Sequence, residues 1–444
     1  MADKYGSLYD HIVSYQITAI CKEPLHIGGN DDRAGGILIH PVKNVPFIQA
    51  TGLAGAMRDY LADEPELQNK LFGSSADGSD TGSKVRISDA FFTGNVIDTE
   101  LRPRVKINRE TGTCQTVQTK GGQNWSGQKF EMESVAAGSE FTFKLYLYER
   151  EHEYEATIER ILGALQAGNI QLGGQKSNGC GYVEFKELLK IDYDMTREKD
   201  RKLWRDESKE GQSILEELKG RISTLDHRIH FELKGKVDSE ILVKSIDVRD
   251  YNEESPDAEQ MRRADGELLI PATSIKGVLR SQMEKIAKLR QLPVSDIEAV
   301  FGKNAEKEEK GFLGCIHFFD AMLEKGGERP PQKRIHIDKF TGGVMYGGLF
   351  SETPAYGELT IRVDLEEENK KAAGLLLMAL RDVGLGILPL GSGSSIGRGY
   401  IDGSELLIKE GTEAPVLHTA YRVLTPGFRH PLSHISGASQ QDHR

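Results

Sequence analysis

Apolar positions along this chain change period in a fixed order, and that order occurs twice. Alternation at Ile229, Phe231 and Leu233 has the two-residue period of a strand with one buried face. After a long loop, Ile275, Val278, Leu279, Met283 and Ile286 fall three and four apart, which is one stripe of a helix. Leu375, Leu376, Met378 and Leu380 make a second helical stripe. Upstream, Leu53, Met57 and Leu61 mark the first helix of an earlier unit, with Thr51 as its expected N-cap. Ile158, Ile161, Leu162 and Leu165 mark that unit's second helix. These stripes read as core. Each unit runs strand, long loop, helix, strand, long hairpin, strand, helix, strand. The order β-α-β-β-α-β predicts an α+β fold of the ferredoxin-like (RRM-like) kind, an antiparallel sheet with both helices on one face.

The duplication extends to short motifs in the same order. Ile48-Gln-Ala-Thr-Gly-Leu-Ala-Gly-Ala-Met-Arg58 answers Ile270-Pro-Ala-Thr-Ser-Ile-Lys-Gly-Val-Leu-Arg280. Leu71-Phe-Gly73 answers Val300-Phe-Gly302, and Ser88-Asp-Ala90 answers Phe319-Asp-Ala321. Arg104-Val-Lys-Ile-Asn-Arg-Glu-Thr-Gly112 answers Arg334-Ile-His-Ile-Asp-Lys-Phe-Thr-Gly342. Gly179-Cys-Gly-Tyr182 answers Gly397-Arg-Gly-Tyr400. Five matches in one order indicate tandem domains over residues 1–186 and 227–409. Residues 187–226 between them alternate charge and read as a solvated linker or exposed helix, and residues 410–444 as a partly extended tail.

Composition narrows the class. The 444 residues suit two or three domains, and 38% hydrophobic with 28% charged residues is a globular balance. No run approaches the ~18 apolar residues of a membrane span. No signal-peptide pattern opens the sequence, and the four cysteines form no C-x-x-C pair, so the cytoplasm is the expected location. The net charge of −11 weighs against nucleic acid only on average, because binding follows local fields. Arg102, Arg104, Lys106, Arg109, Lys120 and Lys129 face a single acid, Glu110, within one segment. Arg329, Lys333, Arg334 and Lys339 do the same against Asp338. The two segments occupy corresponding places in the repeat.

Two features then bear on chemistry. Gly173, Gly174, Gly179 and Gly181 in one repeat, and Gly391, Gly393, Gly397 and Gly399 in the other, form loops between second helix and last strand. Glycines let a backbone approach phosphate closely, and Lys176 and Arg398 add charge. A plain turn is the alternative. Neither loop fits G-x-x-x-x-G-K-[ST], which excludes a nucleotide triphosphatase of that kind. The basic hairpins carry Trp125 and Phe130, or Phe340, Met345, Tyr346 and Phe350. Cations with apolar wedges suit single-stranded RNA. Packing against the neighbouring repeat is the alternative for these hairpins.

Leu25-His-Ile-Gly-Gly29, the paired helix starts, Leu71-Phe-Gly-Ser-Ser75, Ile87-Ser-Asp-Ala-Phe-Phe92, Ile107-Asn-Arg109 and the glycine loops together resemble the RAMP superfamily. Within it they are most similar to the backbone subunits of type III CRISPR effector complexes. The resemblance implies guide RNA, complementary target RNA and other effector-complex subunits as partners, and no membrane. It implies that residues 104–130 and 334–350 are thumbs inserted between bases. Guide contacts would then come from Arg58, Thr273, Ser274, Lys276 and Arg280 at the helix starts and from the glycine loops. Arg104, Lys106, Arg109, Arg334 and Lys339 would supply them on the thumbs.

The resemblance also implies a target-cutting aspartate between first strand and first helix, shortly before an Arg. Asp257, five residues before Arg262, takes that place in the second repeat. In the first repeat the register points at Leu38 and Ile39, which can do no acid–base work; Asp31 and Asp32 lie nearby. A carboxylate there would hold Mg²⁺ or another divalent cation, or orient a ribose 2′-OH for in-line attack. The alternatives are a non-cutting scaffold, a guide-processing endonuclease and a small-molecule-binding tandem ferredoxin-like protein. The second is disfavoured because no histidine lies in 51–61 or 274–289.

Overall fold

Strand-forming alternation appears in both repeats as the centre of an antiparallel sheet. The computed structural model describes residues 9–28, 35–74, 82–94, 96–105, 107–108, 116–118, 125–127, 129–207, 210–222, 228–245, 255–293, 295–303, 311–366, 370–411 and 416–417. The first repeat contains β1 (His11–Cys21), α1 (Ala50–Asp59), β2 (Ala90–Phe92), β3 (Glu140–Glu149), α2 (Glu155–Gln166) and β4 (Val183–Asp194). Its main sheet runs β4-β1-β3-β2, with antiparallel neighbours throughout. The second repeat contains β5 (Arg228–Val237), α3 (Ala272–Leu289), β6 (Ile316–Phe318), β7 (Ala355–Glu366), α4 (Lys370–Gly384) and β8 (Ile401–Glu410). It runs β8-β5-β7-β6, the same order. Even an irregularity repeats. The β1/β4 ladder skips Lys186 and the β5/β8 ladder skips Ser404, one bulged residue at matching places.

Alternation decides which residues meet the helices. Val13, Tyr15, Ile17 and Ala19 of β1 share one cluster with Leu53 and Met57 of α1 and Ile158, Ile161, Leu162 and Leu165 of α2. Ile229, Phe231 and Leu233 of β5 join Ile275, Leu279 and Met283 of α3 and Leu375, Leu376 and Leu380 of α4 in another.

The repeated Asp-Ala motif caps the first helix in each repeat. Asp89 Oδ1 accepts the Ala50 N–H at 2.8 Å, and Asp320 Oδ1 accepts the Ala272 N–H at 2.8 Å. Thr51 is therefore not the N-cap: it lies inside α1, and the cap position, Gln49, makes no side-chain cap bond. The free N–H groups of a helix start donate to any well-placed carboxylate, and here it arrives from a distant segment. Asp320 also pairs with Arg102, Nη1 to Oδ2 2.6 Å, both side chains largely buried. Asp89→Ala is expected to cost about 1 kcal/mol, the usual value of a cap. Asp320→Ala should cost clearly more, because it also removes the largely buried carboxylate paired with Arg102. Urea midpoints followed by circular dichroism compare the two; equal losses would show that the Arg102 pair contributes nothing.

Two boundaries differ from the sequence expectation. The chain divides into compact units of residues 1–100, 133–176 and 180–226, and of 101–132, 177–179 and 227–444. The hairpin segment of the first repeat thus belongs with the second compact unit. Of the two alternatives for residues 187–222, the exposed helix fits Glu198–Arg205, which has no buried residue, and the rest of the segment adds strand and a second helix. The strand β4 continues through Asp194, and helices Glu198–Arg205 and Leu215–Ile222 follow. The Trp204 ring meets Tyr146 and Tyr193 at 5.2 and 5.1 Å, in a small cluster with Ile12 on the sheet face away from α1 and α2. Leu215 and Leu218 join the main core. So few apolar residues, spread over two short helices, are hidden by the charge around them. Of the 410–444 tail, little past Gly411 is described: Val416–Leu417 pairs with Leu407 and Ile408.

Candidate nucleic-acid interface

Glycine spacing in the two loops is set first by backbone geometry. Residues 173, 175, 179 and 181 have φ of 72, 61, 79 and 88°, and residues 391, 393, 397 and 399 have 78, 83, 87 and 82°. Seven of these eight left-handed positions are glycine, the residue that adopts them without strain; Gln175 is the exception. A Cβ on Gly181 or Gly399 would lie 2.1 or 1.9 Å from the carbonyl oxygen of Leu172 or Leu390. Several loop N–H groups are already engaged: Gly174 donates to His26 O and Ser392 to Leu242 O, each at 2.8 Å. Gly181 and Gly399 donate to Pro24 O and Glu240 O. Turn geometry alone therefore accounts for these glycines.

Arg398 is a correction to the sequence expectation of a loop cation. It is 1% exposed, and its guanidinium is fully spent inside the protein. Nε donates to Glu240 Oε1 at 2.6 Å, Nη1 to Glu352 Oε2 at 2.6 Å and Nη2 to Gln332 Oε1 at 2.7 Å. Lys244 Nζ reaches the other Glu352 oxygen at 2.9 Å. Gln332 and Glu352 lie on the two strands of the second hairpin, Gln332–Ile337 and Val344–Thr353, so Arg398 ties that hairpin to the glycine loop. Arg334 is half-buried beside the same network, 3.5 Å from Glu352, with Nη2 donating to Gln332. Lys176 is half-buried on a 3-10 turn, and Lys339 is exposed near the hairpin tip.

A second set of cations has little acid among it. Lys276 on α3 donates to Ser177 Oγ at 2.7 Å. Burial, then the nearby Arg280 and Arg104 charges, push its amine down to about 8. Arg280 bonds Glu284 at 3.1 Å and its guanidinium lies 5.1 Å from the Phe301 ring centre. Thr273 and Ser274 are half-buried in the first turn of α3, and Arg58 is half-buried in the last turn of α1. An anion brought to Lys276 would offset the Arg280 and Arg104 repulsion and favour its charged form. Lys106 and Arg109 lie outside the described residues.

Asp257 sits where the second hairpin leaves the domain. Its Oδ2 accepts the Ser351 N–H at 2.7 Å, and strand Ala258–Gln260 runs parallel to the hairpin's return strand. The side chain is exposed, and among the described residues its Oδ1 has no hydrogen-bond partner. Arg262 pairs with Glu328 at 2.6 Å. Past this point the hairpin carries outward apolar groups: Phe340 is 98% exposed, and Met345, Tyr346 and Leu349 are exposed too. In the first repeat, Leu38 is half-buried and Ile39 exposed, while Asp31 and Asp32 lie outside the described residues. Sequence reasoning missed Ser177, Ser351, Gln332, Glu240 and Glu352. Only the pairing of distant segments brings them to these places, and a lone Ser or Glu carries no local signal.

Among the described residues Cys21, Cys180 and Cys315 form no disulfide, and no helix is long and apolar enough to cross a membrane. The chain belongs to the RAMP superfamily, whose family model matches residues 18–184 and again 248–402. It is similar to the CRISPR system Cms endoribonuclease Csm3 of Enterococcus italicus, 28% identical over 192 residues, which is 36% of this chain and 83% of that protein. The Streptococcus thermophilus protein of the same name is 27% identical over 195 residues, covering 37% and 82%. That of Methanothermobacter thermautotrophicus is 24% identical over 216 residues, covering 40% and 84%. Each relative is matched over most of its length by two-fifths of this chain or less, in keeping with a domain carried twice.

Proposed function

We propose that this protein is a guide-RNA-binding backbone subunit of a type III CRISPR interference complex, built from two ferredoxin-like RAMP domains, and that its second domain cuts target RNA. The single observation that carries the reading is Asp257, an exposed carboxylate fixed by Ser351 at the root of a hairpin with a protruding apolar face. A thumb that splays bases beside a carboxylate supplies the geometry in-line attack needs, and Mg²⁺ or another divalent ion held by that carboxylate would stabilise the phosphate charge. The shared β4-β1-β3-β2 and β8-β5-β7-β6 orders support the ferredoxin-like assignment. The Lys276, Arg280 and Arg104 cluster supports phosphate binding. Gly55 of α1 and Gly277 of α3 occupy equivalent exposed helix positions, and a Cβ at either would meet nothing within 4 Å. A helical glycine costs about 1 kcal/mol against alanine, and here no neighbour in the chain requires it. Close approach of an RNA backbone gives it a reason. A non-cutting scaffold is favoured by one fact, that the Ser351 bond gives Asp257 a structural role.

The test is purification from cells that also express the neighbouring subunits, followed by incubation with a labelled complementary RNA and Mg²⁺. Co-purifying RNA, salt-sensitive binding and discrete target fragments are expected. An RNA-free monomer under these conditions overturns the reading and favours a small-molecule binder.

A further inference from the structure

We propose that the first compact unit carries a second, separate cation site, for a divalent metal of the zinc class, held by His152, Glu149 and Glu155. Glu149 ends β3 and Glu155 opens α2, and His152 stands in the short loop between them. The three donor atoms lie within 4.8 Å of one another. Glu149 gives the site its strongest support. Its side chain is 1% exposed; Oε2 accepts the Tyr154 N–H at 2.9 Å, but Oε1 is buried with no hydrogen-bond partner. That oxygen lies 3.8 Å from His152 Nδ1. A carboxylate oxygen withdrawn from water without a hydrogen bond, and with only an imidazole 3.8 Å away, is costly, and a closer cation is the ordinary remedy.

The surroundings bring in more negative charge than they neutralise. Glu155 contacts His152 through Oε1 and Lys190 through Oε2. Lys190 is shared with Glu159 at 2.8 Å, and Arg221 also serves Glu159. Among the described residues His152 is the one cation paired with Glu149. His152 also takes φ 53°, unusual for a residue with a side chain. Its ring lies 4.1 Å from that of His11, which bonds Asp192 at 3.1 Å, and these three form a second donor set sharing His152. One imidazole nitrogen and two carboxylate oxygens, completed by water, suit Zn²⁺; Mg²⁺ prefers oxygen ligands and retained waters. The ion would clamp the end of β3 to the start of α2. Asp257 lies in the other compact unit, so this inference does not depend on the cutting activity.

The experiment titrates ZnCl₂ into the chelator-treated 444-residue chain by calorimetry, with MgCl₂ as the control and metal content measured after dialysis. One Zn²⁺ per chain is expected at this site, with weaker binding at pH 6 than at pH 7.5 because protons compete for His152. His152→Ala and Glu149→Gln should each weaken that binding at least about tenfold. Glu149→Gln keeps the side-chain shape, and its metal-free melting curve shows that it folds. No saturable Zn²⁺ binding, or equal affinity in wild type and Glu149→Gln, overturns the proposal. Loss in His152→Ala alone also overturns it, and moves the ion to the set with His11 and Asp192.

Discussion

Arg398→Ala is expected to destabilise the second compact unit by about 3–5 kcal/mol, the cost of stranding a buried charge. The arginine is 1% exposed, and Glu352, its partner at 2.6 Å, is 7% exposed. Removing the guanidinium takes one donor each from Glu240, Glu352 and Gln332, leaving Glu240 to Gln332 Nε2, Gln332 Oε1 to Arg334, and Glu352 to Lys244 and the more distant Arg334. Arg398→Lys should rescue little, because one ammonium cannot reproduce three donors in a planar fork. Replacing Arg398 by Met together with Glu240→Gln and Glu352→Gln should cost less than Arg398→Ala, since no buried carboxylate is then left without its arginine. The acid limb of the stability curve gives a second readout. Burial acts to raise the Glu352 carboxyl, but Lys244 and Arg398 hold it below the usual range. Its contribution is therefore present above the unfolded value of about 4.3 and is lost as pH falls through the lower folded value. Arg398→Ala should flatten that dependence. A loss under about 1 kcal/mol would mean the network holds little, and would return Arg398 to the pool of RNA contacts.

What the sequence made legible was periodic or repeated. The β5 alternation at Ile229, Phe231 and Leu233 and the α3 stripe from Ile275 to Ile286 are where their periods put them, because burial on one face writes itself into spacing. The paired motifs located two domains, and the common bulges at Lys186 and Ser404 show how deep the duplication runs. Chemistry of side chains was harder to read. Lys176, Lys276 and Arg398 look alike as letters, yet one is half-buried on a turn, one is desolvated among cations and one is sealed in an ion network. The difference comes from Glu240, Glu352 and Ser177, which reach these places through strand pairing or a distant turn. The helix caps were missed for the same reason: Asp89 and Asp320 are far in sequence from the N–H groups they accept. In 187–222 the charge alternation fits the exposed helix Glu198–Arg205, but the packing of Trp204 and Leu218 was not legible because they are isolated among charges.

Asp257→Asn is expected to remove one target cut from the assembled complex, slowing it by about a hundredfold or more, the range of a lost general acid or base. The amide variant is the informative one. Asp257 Oδ2 accepts the Ser351 N–H at 2.7 Å, so Asp257→Ala would loosen the hairpin as well as delete the charge. Asparagine keeps a carbonyl oxygen for Ser351 and loses only the capacity to accept a proton or hold a metal. Target binding should be unchanged in Asp257→Asn, since one exposed loop carboxylate contributes little to holding a long duplex. Ser351→Ala is a matched control: the backbone N–H remains, so Asp257 stays anchored and the cut should persist. The first repeat offers Leu38 and Ile39 at the corresponding register, so the two domains should be unequal. Asp31→Ala with Asp32→Ala is then expected to leave the product pattern intact. If that pair abolishes a cut and Asp257→Asn does not, the active carboxylate lies in the first repeat. If neither alters the fragments while both bind target, Asp257 serves only to seat the hairpin, and the protein is a scaffold.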